Sequence, residues 1–461
     1  MSHYVDIREQ ILTKEEGVKL QTSHIKRFTI HKLFQERDVS LDFDENCRIL
    51  VAENGNGKTT ILNALYHTIR GDSIKLSKID FQWLELEFLD GEKFKFHRKE
   101  LDIGHAFKDK AFYDHLCILN GKEETHKLIE VFTEYSHQPN KLKTHPVFKT
   151  ALRKMGFNAD SLFAFLSRHL GPGSEEESGV RTKVKFGRIK TKFPYTVLYL
   201  PTYRRVEIDL SVGEGEDNGG TREDIYFGMR DVEELIKVRT QEILSSSVEW
   251  FSKVNGQMLS QLAEGFSLDQ ELKESIKKPD DVKIVLDRIG NNINEDTKEK
   301  ILQLIGSEAI FVDHDPLIYF ISNLVKVYEQ QRENDQALQS FTEVCNRYLG
   351  DKMIRYNEGS VALQVVRRKN LRPVDWEVLS SGEKQIISLF AKLYLQKHNE
   401  FAIFFDEPEL SLSMEWQRTL LPDIIDSGKC GFLLATTHSP FIFENNLMTY
   451  TVDLSHYIKE L

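Results

Sequence analysis

Near the start of the chain, apolar and polar residues alternate with period two. "HIKRFTI" from His24 and "VSLDF" from Val39 read as half-buried strands, and "CRILVA" from Cys47 as a short buried one. "WLELEFLDGEKFKFHR" alternates on both sides of Asp90-Gly91, the pair preferred in tight primed turns, and predicts a hairpin. Between them the period becomes helical. In "KTTILNALYHTIRG", Ile61, Leu62, Leu65 and Ile69 share one face, and Gly71 suits a C-cap.

Residues 101–170 read mostly as helix, and helix returns over 229–349 in "DVEELIKVRTQEILSSSVEWF", "LIYFISNLVKVYEQQ" and "ALQSFTEVCNRYL". No heptad is sustained, so a compact helical lobe is expected rather than a long coiled coil. Strand character reappears at "ALQVV", "FAIFFDE" and "GFLLATTH". Apolar strands flanked by helices near both ends predict an α/β head split by a large, mostly helical insertion. The expected division is 1–100 for the first half of the head, 101–360 for the insertion and 361–461 for the second half.

Two Gly- and acid-rich runs, 171–179 and 211–221, read as mobile loops. Between them a basic β segment is expected near 181–205. Arg181, Lys183 and Lys185 alternate there, as do Arg188, Lys190 and Lys192, and on a strand each set points one way. That pattern fits a solvated hairpin, or a surface for DNA or an acidic partner.

The 461 residues include 72 acids and 61 bases, a net charge of −11, which argues against a general nucleic-acid coat but leaves room for a local basic groove. Cys47, Cys117, Cys345 and Cys430 are scattered without a CxxC pair, which suits a reduced, cytoplasmic setting and not a zinc site. The polar N-terminus and the lack of a long apolar run predict neither a signal peptide nor a membrane span.

Four stretches carry candidate chemistry. "ENGNGKTT" follows a strand and opens a helix, as a phosphate loop does. Asn54, Gly55, Asn56, Gly57, Lys58, Thr59 and Thr60 would wrap a phosphate, with Lys58 on the β and γ groups and Thr59 on Mg²⁺. Ala52 stands where the first glycine of G-x-x-x-x-G-K-[ST] is expected. In "FAIFFDEPELSL", a buried strand ends in Asp406, placed to hold Mg²⁺ through water, and Glu407, placed to orient or deprotonate an attacking water. In "LLATTHSP", His438 follows another buried strand and suits a γ-phosphate contact. In "LSSGEKQIISLF", Ser380, Ser381, Gly382 and Glu383 open a helix and look built to hold an anion.

In this order the four stretches resemble the motifs of the ABC-type ATPases. "LSSGEKQ" is similar to their signature, with Ser381 where Gly is commonest, and "FFDEPELSL" to Walker B and the D-loop. His438 is similar to their switch histidine. The resemblance implies binding of ATP and Mg²⁺, and hydrolysis. It also implies that the signature closes over an ATP held by a second head, so that two chains share two nucleotides. "HIKRFTIHKLFQERDVSLDFDENCRILVAENGNGKTTILNALY" resembles the opening of SMC/RecF-like ATPases, and "DEPELSLSMEWQ", "LYLPTYRRVE" and "YFGMRDVEELI" resemble stretches of their compact bacterial, OLD-like cousins. These include the ATPase subunits of phage-defence systems, AriA-like first and PtuA-like next.

That resemblance implies a homo-oligomer, a head pair at least and as large as a hexamer. It implies a separate nuclease subunit, Toprim-like or, second, HNH-like, since no Toprim, HNH or Cys-His nuclease pattern is found here. It further implies a phage trigger protein, such as an acidic DNA mimic. Two other classes stand beside this one: a DNA-repair ATPase that clamps DNA directly, and a scaffold that binds ATP but barely turns it over. Gln138 is the candidate for the Q-loop, Arg27 or Phe28 for adenine stacking, and Arg204 and Arg205 fit either an ion pair or a nucleotide contact.

Overall fold

The computed structural model describes residues 23–53, 55–101, 110–135, 138–169, 176–201, 229–265, 268, 270–397 and 400–461. They form two compact units, one from residues 23–201 and 400–461, the other from 229–397.

The first unit is built on two sheets. β1 (Ile25–Leu33), β2 (Arg37–Asp42), β4 (Trp83–Phe88), β5 (Lys93–His97) and β12 (Ile458–Glu460) form an antiparallel sheet in the order β12-β2-β1-β4-β5. Alternation along β1 puts Ile25, Phe28, Ile30 and Leu33 fully inside. β3 (Cys47–Val51), β6 (Thr196–Leu200), β9 (Phe401–Asp406), β10 (Cys430–Thr437) and β11 (Thr451–Asp453) form a second sheet, parallel throughout, in the order β11-β3-β10-β9-β6. Every residue of β9 is buried, as a strand covered on both faces requires. Helix α1 (Lys58–Arg70) shares one apolar core with both sheets through Ile61, Leu62, Leu65 and Ile69, and Gly71 ends it at φ 77°.

The head is thus an α/β fold whose parallel sheet is completed by strands from beyond the helical insertion. β6 departs from the expected division. It lies in the stretch assigned to the insertion, yet it pairs with β9 from Thr196↔Phe401 to Leu200↔Phe405 and forms an edge of the head's own sheet.

The basic segment is also corrected. Residues 181–192 are helical, within α2 (Glu176–Lys192), and only β6 is strand. Ile189 is fully buried and Phe186 packs against the core, so the apolar residues recur at helical spacing. The basic side chains beside them fold onto the β4–β5 hairpin and the helical turn Arg98–Leu101 that follows it. Lys185 pairs with Glu100, Arg188 with Glu92, and Lys192 with Asp90 and Glu92. Three of the six cations proposed for a partner are therefore spent inside the unit. Of the two presumed loops, 171–179 is helical from Glu176, and 211–221, like Arg204 and Arg205, lies outside the described residues.

The second unit is mostly helical. α3 (Arg230–Glu264) and α4 (Asp315–Tyr348) are its long helices, the hairpin of β7 (Lys352–Asn357) and β8 (Ala362–Arg367) its sheet, and α5 (Ser381–Leu395) its last helix. Arg288 is held in a nearly dry site. It donates to both oxygens of Asp335 at 2.7 Å, to Gln331 at 2.9 Å and to the carbonyl of Glu358 at 3.0 Å. The Tyr356 hydroxyl donates to the same carboxylate at 2.5 Å, and Asp335 is 1% exposed. Arg288→Met leaves that carboxylate buried without its cation and is expected to destabilise this unit by about 3–5 kcal/mol. Chemical denaturation followed by circular dichroism checks it, and Asp335→Leu added to Arg288→Met should recover part of the loss. No helix among the described residues is long and apolar enough to cross a membrane.

Candidate functional site

Three neighbouring parallel strands set the site. β3, β10 and β9 end level with one another, since Val51 pairs with Thr437 and Asp406 with Thr436. Ligands of open parallel sheets bind beyond the carboxyl ends of the strands, and there stand the loop after β3, the acidic pair after β9 and the histidine after β10.

The loop after β3 turns through Gly55 at φ 88° and Gly57 at φ 77°. Both are left-handed conformations that glycine adopts without a Cβ penalty. A Cβ at Gly55 would meet nothing within 4 Å, so the backbone lies open to a ligand. Gly57 caps α1 without a side-chain bond, and the first N–H groups of that helix favour an anion. Asn54 lies outside the described residues, while Asn56 and Thr60 are half-buried on either side of the helix start.

Lys58 is 6% exposed. Its Nζ donates to the carbonyls of Ala52 at 2.7 Å and Glu53 at 3.1 Å, and lies 2.6 Å from Nε2 of His438. Ala52 in place of glycine therefore still supplies the carbonyl that steadies the ammonium. Burial pushes the Lys58 pKa down, and Glu407, Asp406 and Glu409 pull it back up. With Lys58 charged, Nε2 of His438 must accept, which puts the imidazole proton on Nδ1.

Asp406 is 1% exposed at the end of β9. One of its oxygens accepts from Thr59 Oγ1 at 3.1 Å and from Thr436 Oγ1 at 2.5 Å. A hydroxyl and a carboxylate this close are the hard oxygen donors that suit Mg²⁺. Glu407 stands at φ 51°, a conformation that costs a non-glycine residue about 1–3 kcal/mol and is held only where surroundings enforce it. Its N–H donates to the carbonyl of Thr436 at 2.9 Å, and its Oε1 lies 3.6 Å from Nε2 of His438. Lys58, Thr59, Asp406, Glu407 and His438, all singled out in the sequence, thus converge within the first unit.

Ser380, Ser381, Gly382 and Glu383 belong to the second unit. Ser380 is the N-cap of α5, its hydroxyl accepting from the N–H of Glu383 at 3.3 Å. Glu383 returns the bond, accepting from the N–H of Ser380 at 2.7 Å, and both its oxygens face Lys352 at 3.2 Å. Ser380 and Ser381 are exposed, whereas Gly382 and Glu383 are buried. Glu383 therefore turns inward as a cap, and Ser380 and Ser381 are the exposed residues of the stretch.

Gln138 is exposed at the N-cap of the short helix Pro139–Thr144. Of the adenine candidates, Phe28 is fully buried and Arg27 is engaged with Asp42 at 2.5 Å. The aromatic beside the phosphate loop is Phe34, 41% exposed at φ 56°, whose ring lies 3.6 Å from where a Gly57 Cβ would stand. Sequence reasoning passed over it, because one aromatic in a turn carries no spacing signal. Thr436 was also passed over, although its place at the end of a buried strand, directly beside Asp406 in register, gives its hydroxyl that partner.

Among curated proteins no relative matches the chain. Two solved structures are similar over most of their length. One is the Smc head domain of Pyrococcus furiosus with an extended coiled coil, bound to the C-terminal domain of ScpA: 13% identity, 95% of this chain, 96% of that chain, TM-score 0.34. The other is the Smc head domain of Pyrococcus yayanosii with a coiled coil and joint: 11% identity, 95% and 97% coverage, TM-score 0.30. The model of the AAA ATPase domain family (AAA_15) matches residues 25–443, from β1 to beyond His438, so it takes in all four stretches singled out in the sequence. The chain belongs to the AAA ATPase domain family.

Proposed function

We propose that this chain binds and hydrolyses ATP with Mg²⁺, pairs with further copies of itself through the nucleotide, and thereby restrains or activates a separate nuclease subunit of a phage-defence complex. The observation that carries the first part is the convergence of Lys58, Thr59, Asp406, Glu407 and His438 at the carboxyl ends of β3, β9 and β10. Asn54 to Thr60 enclose the phosphates. Lys58 exchanges the carbonyls of Ala52 and Glu53 for phosphate oxygens. Thr59 and Asp406 hold Mg²⁺, which when bound offsets charge on the phosphate oxygens. Glu407 accepts a proton from the attacking water. His438 contacts the γ-phosphate. Phe34 offers a ring face to the base.

Ser380, Ser381 and Gly382 present the N-terminus of α5 to the γ-phosphate held by a second copy. Their location in a different compact unit from the phosphate loop supports a separate role for the two motifs. The pairing of Lys185, Arg188 and Lys192 within the head weighs against the alternative of a DNA clamp based on this segment.

The test combines turnover and assembly. The purified chain is expected to hydrolyse ATP with Mg²⁺ and not with EDTA, to form ATP-dependent oligomers, and to co-purify with the product of the neighbouring gene as a nuclease-containing complex. Absence of turnover at all Mg²⁺ concentrations would leave a scaffold. A solo dimer that binds DNA only with ATP would replace the defence reading by the clamp.

A further inference from the structure

We propose that Glu409 is a positioning residue that aims the imidazole of His438 by holding the backbone that carries it. The inference rests on the reading of His438 given above. β10 ends at Thr437, and the next regular element is the short turn Pro440–Ile442, so no strand or helix fixes residues 438 and 439. The imidazole is itself about a third exposed and cannot be located by packing alone.

One carboxylate does this instead. Oε1 of Glu409 accepts from the N–H of His438 at 2.8 Å and of Ser439 at 3.3 Å, and Oε2 accepts from the hydroxyl of Thr437 at 2.8 Å. Three consecutive residues are thus gathered on one side chain, with charge-assisted bonds to two backbone donors. Glu409 is fixed in turn. Gln417, on the helix Met414–Asp426, donates to the carbonyls of Glu409 at 3.3 Å and Leu412 at 3.0 Å, and its side-chain oxygen accepts from the Ser439 hydroxyl at 2.6 Å.

The same two segments are joined on the other side of the site by Asp406 with Thr436 and by the N–H of Glu407 with the carbonyl of Thr436. Residues 406–409 and 436–439 are therefore tied to each other at both ends, which holds His438 beside Glu407. The segment after Glu409, with Ser411 and Ser413 exposed, is bonded into that same pair of segments, so a displacement there reaches the imidazole through Glu409.

The experiment is a cycle of turnover measurements on the full chain. Glu409→Ala should lower kcat about 100-fold, the scale of a misplacement near 1 Å, with KM for ATP changed by less than about threefold. Glu409→Gln keeps an acceptor for both N–H groups and should restore most of the rate. In a His438→Ala background, Glu409→Ala should have no further effect, because the two act through one group. A loss that adds to that of His438→Ala overturns the proposal. If Glu409→Ala does not fold, Glu409→Asp keeps the charge and withdraws the oxygens; wild-type turnover from that variant overturns it equally. If His438→Ala itself keeps full turnover, the reading of His438 fails. If His438→Ala is inactive and folded Glu409→Ala is not, only the role of Glu409 fails.

Discussion

Glu407→Gln is expected to lower ATP turnover by about 10²–10⁴-fold, the contribution of a well-placed general base, with ATP affinity changed by less than about threefold. The amide has nearly the size of the carboxylate, so the fold has no reason to change. The left-handed backbone at Glu407 is held by its own N–H on Thr436, which the substitution leaves alone. What is lost is a proton acceptor 3.6 Å from Nε2 of His438. Lys58, Thr59 and Asp406 are untouched, so nucleotide and Mg²⁺ should still load. Steady-state phosphate release with parallel filter binding of labelled ATP separates the two quantities. Retained turnover would move the base elsewhere, and loss of binding would recast Glu407 as part of the nucleotide or Mg²⁺ site.

Ser381→Arg is the second large effect. Ser381 is the first residue of α5 and exposed, but the reciprocal cap is made by Ser380 and Glu383, and the buried face by Ile386, Ile387, Leu389 and Phe390. The helix should therefore survive. A guanidinium over its N-terminus blocks the place where an anion would sit and opposes the positive end of the dipole. The expected result is near-normal ATP binding, turnover reduced by about 10²-fold or more, as when a donor to developing charge is removed, and no ATP-dependent association. Size-exclusion chromatography of Ser381→Arg in the Glu407→Gln background reads association directly. An active monomer would sink the shared-site reading.

Much of the site was legible because its chemistry is written in short spacings. Gly57, Lys58 and Thr59 are contiguous, and Asp406, Glu407 and His438 each follow a run of apolar residues that could only be a buried strand. The basic segment was misread for a physical reason. Arg181 to Lys192 alternates closely enough for a strand, and the decisive fact, that Phe186 and Ile189 must face one core, concerns tertiary packing. The cap made by Glu383 was hidden for a similar reason. Ser380 and Glu383 stand at capping-box spacing, and the partner that draws the carboxylate inward, Lys352, is remote in sequence. The roles proposed for Phe34 and Glu409 depend on proximity made only by the fold.

The strand order has a consequence for synthesis. Among the described residues, β3, which leads into the loop at Gly55–Gly57, pairs with β10 and β11 and no other strand. Both emerge after the whole helical unit has been made. At about 5–20 residues per second, the loop waits roughly 20–80 s for the strands that close its sheet. During that interval β3 lacks both strands it pairs with among the described residues, and Asp406, Glu407 and His438 have yet to be added. Maturation of the site is thereby tied to delivery of the last strands, and an interrupted chain carries its phosphate loop without the carboxylates that would use it.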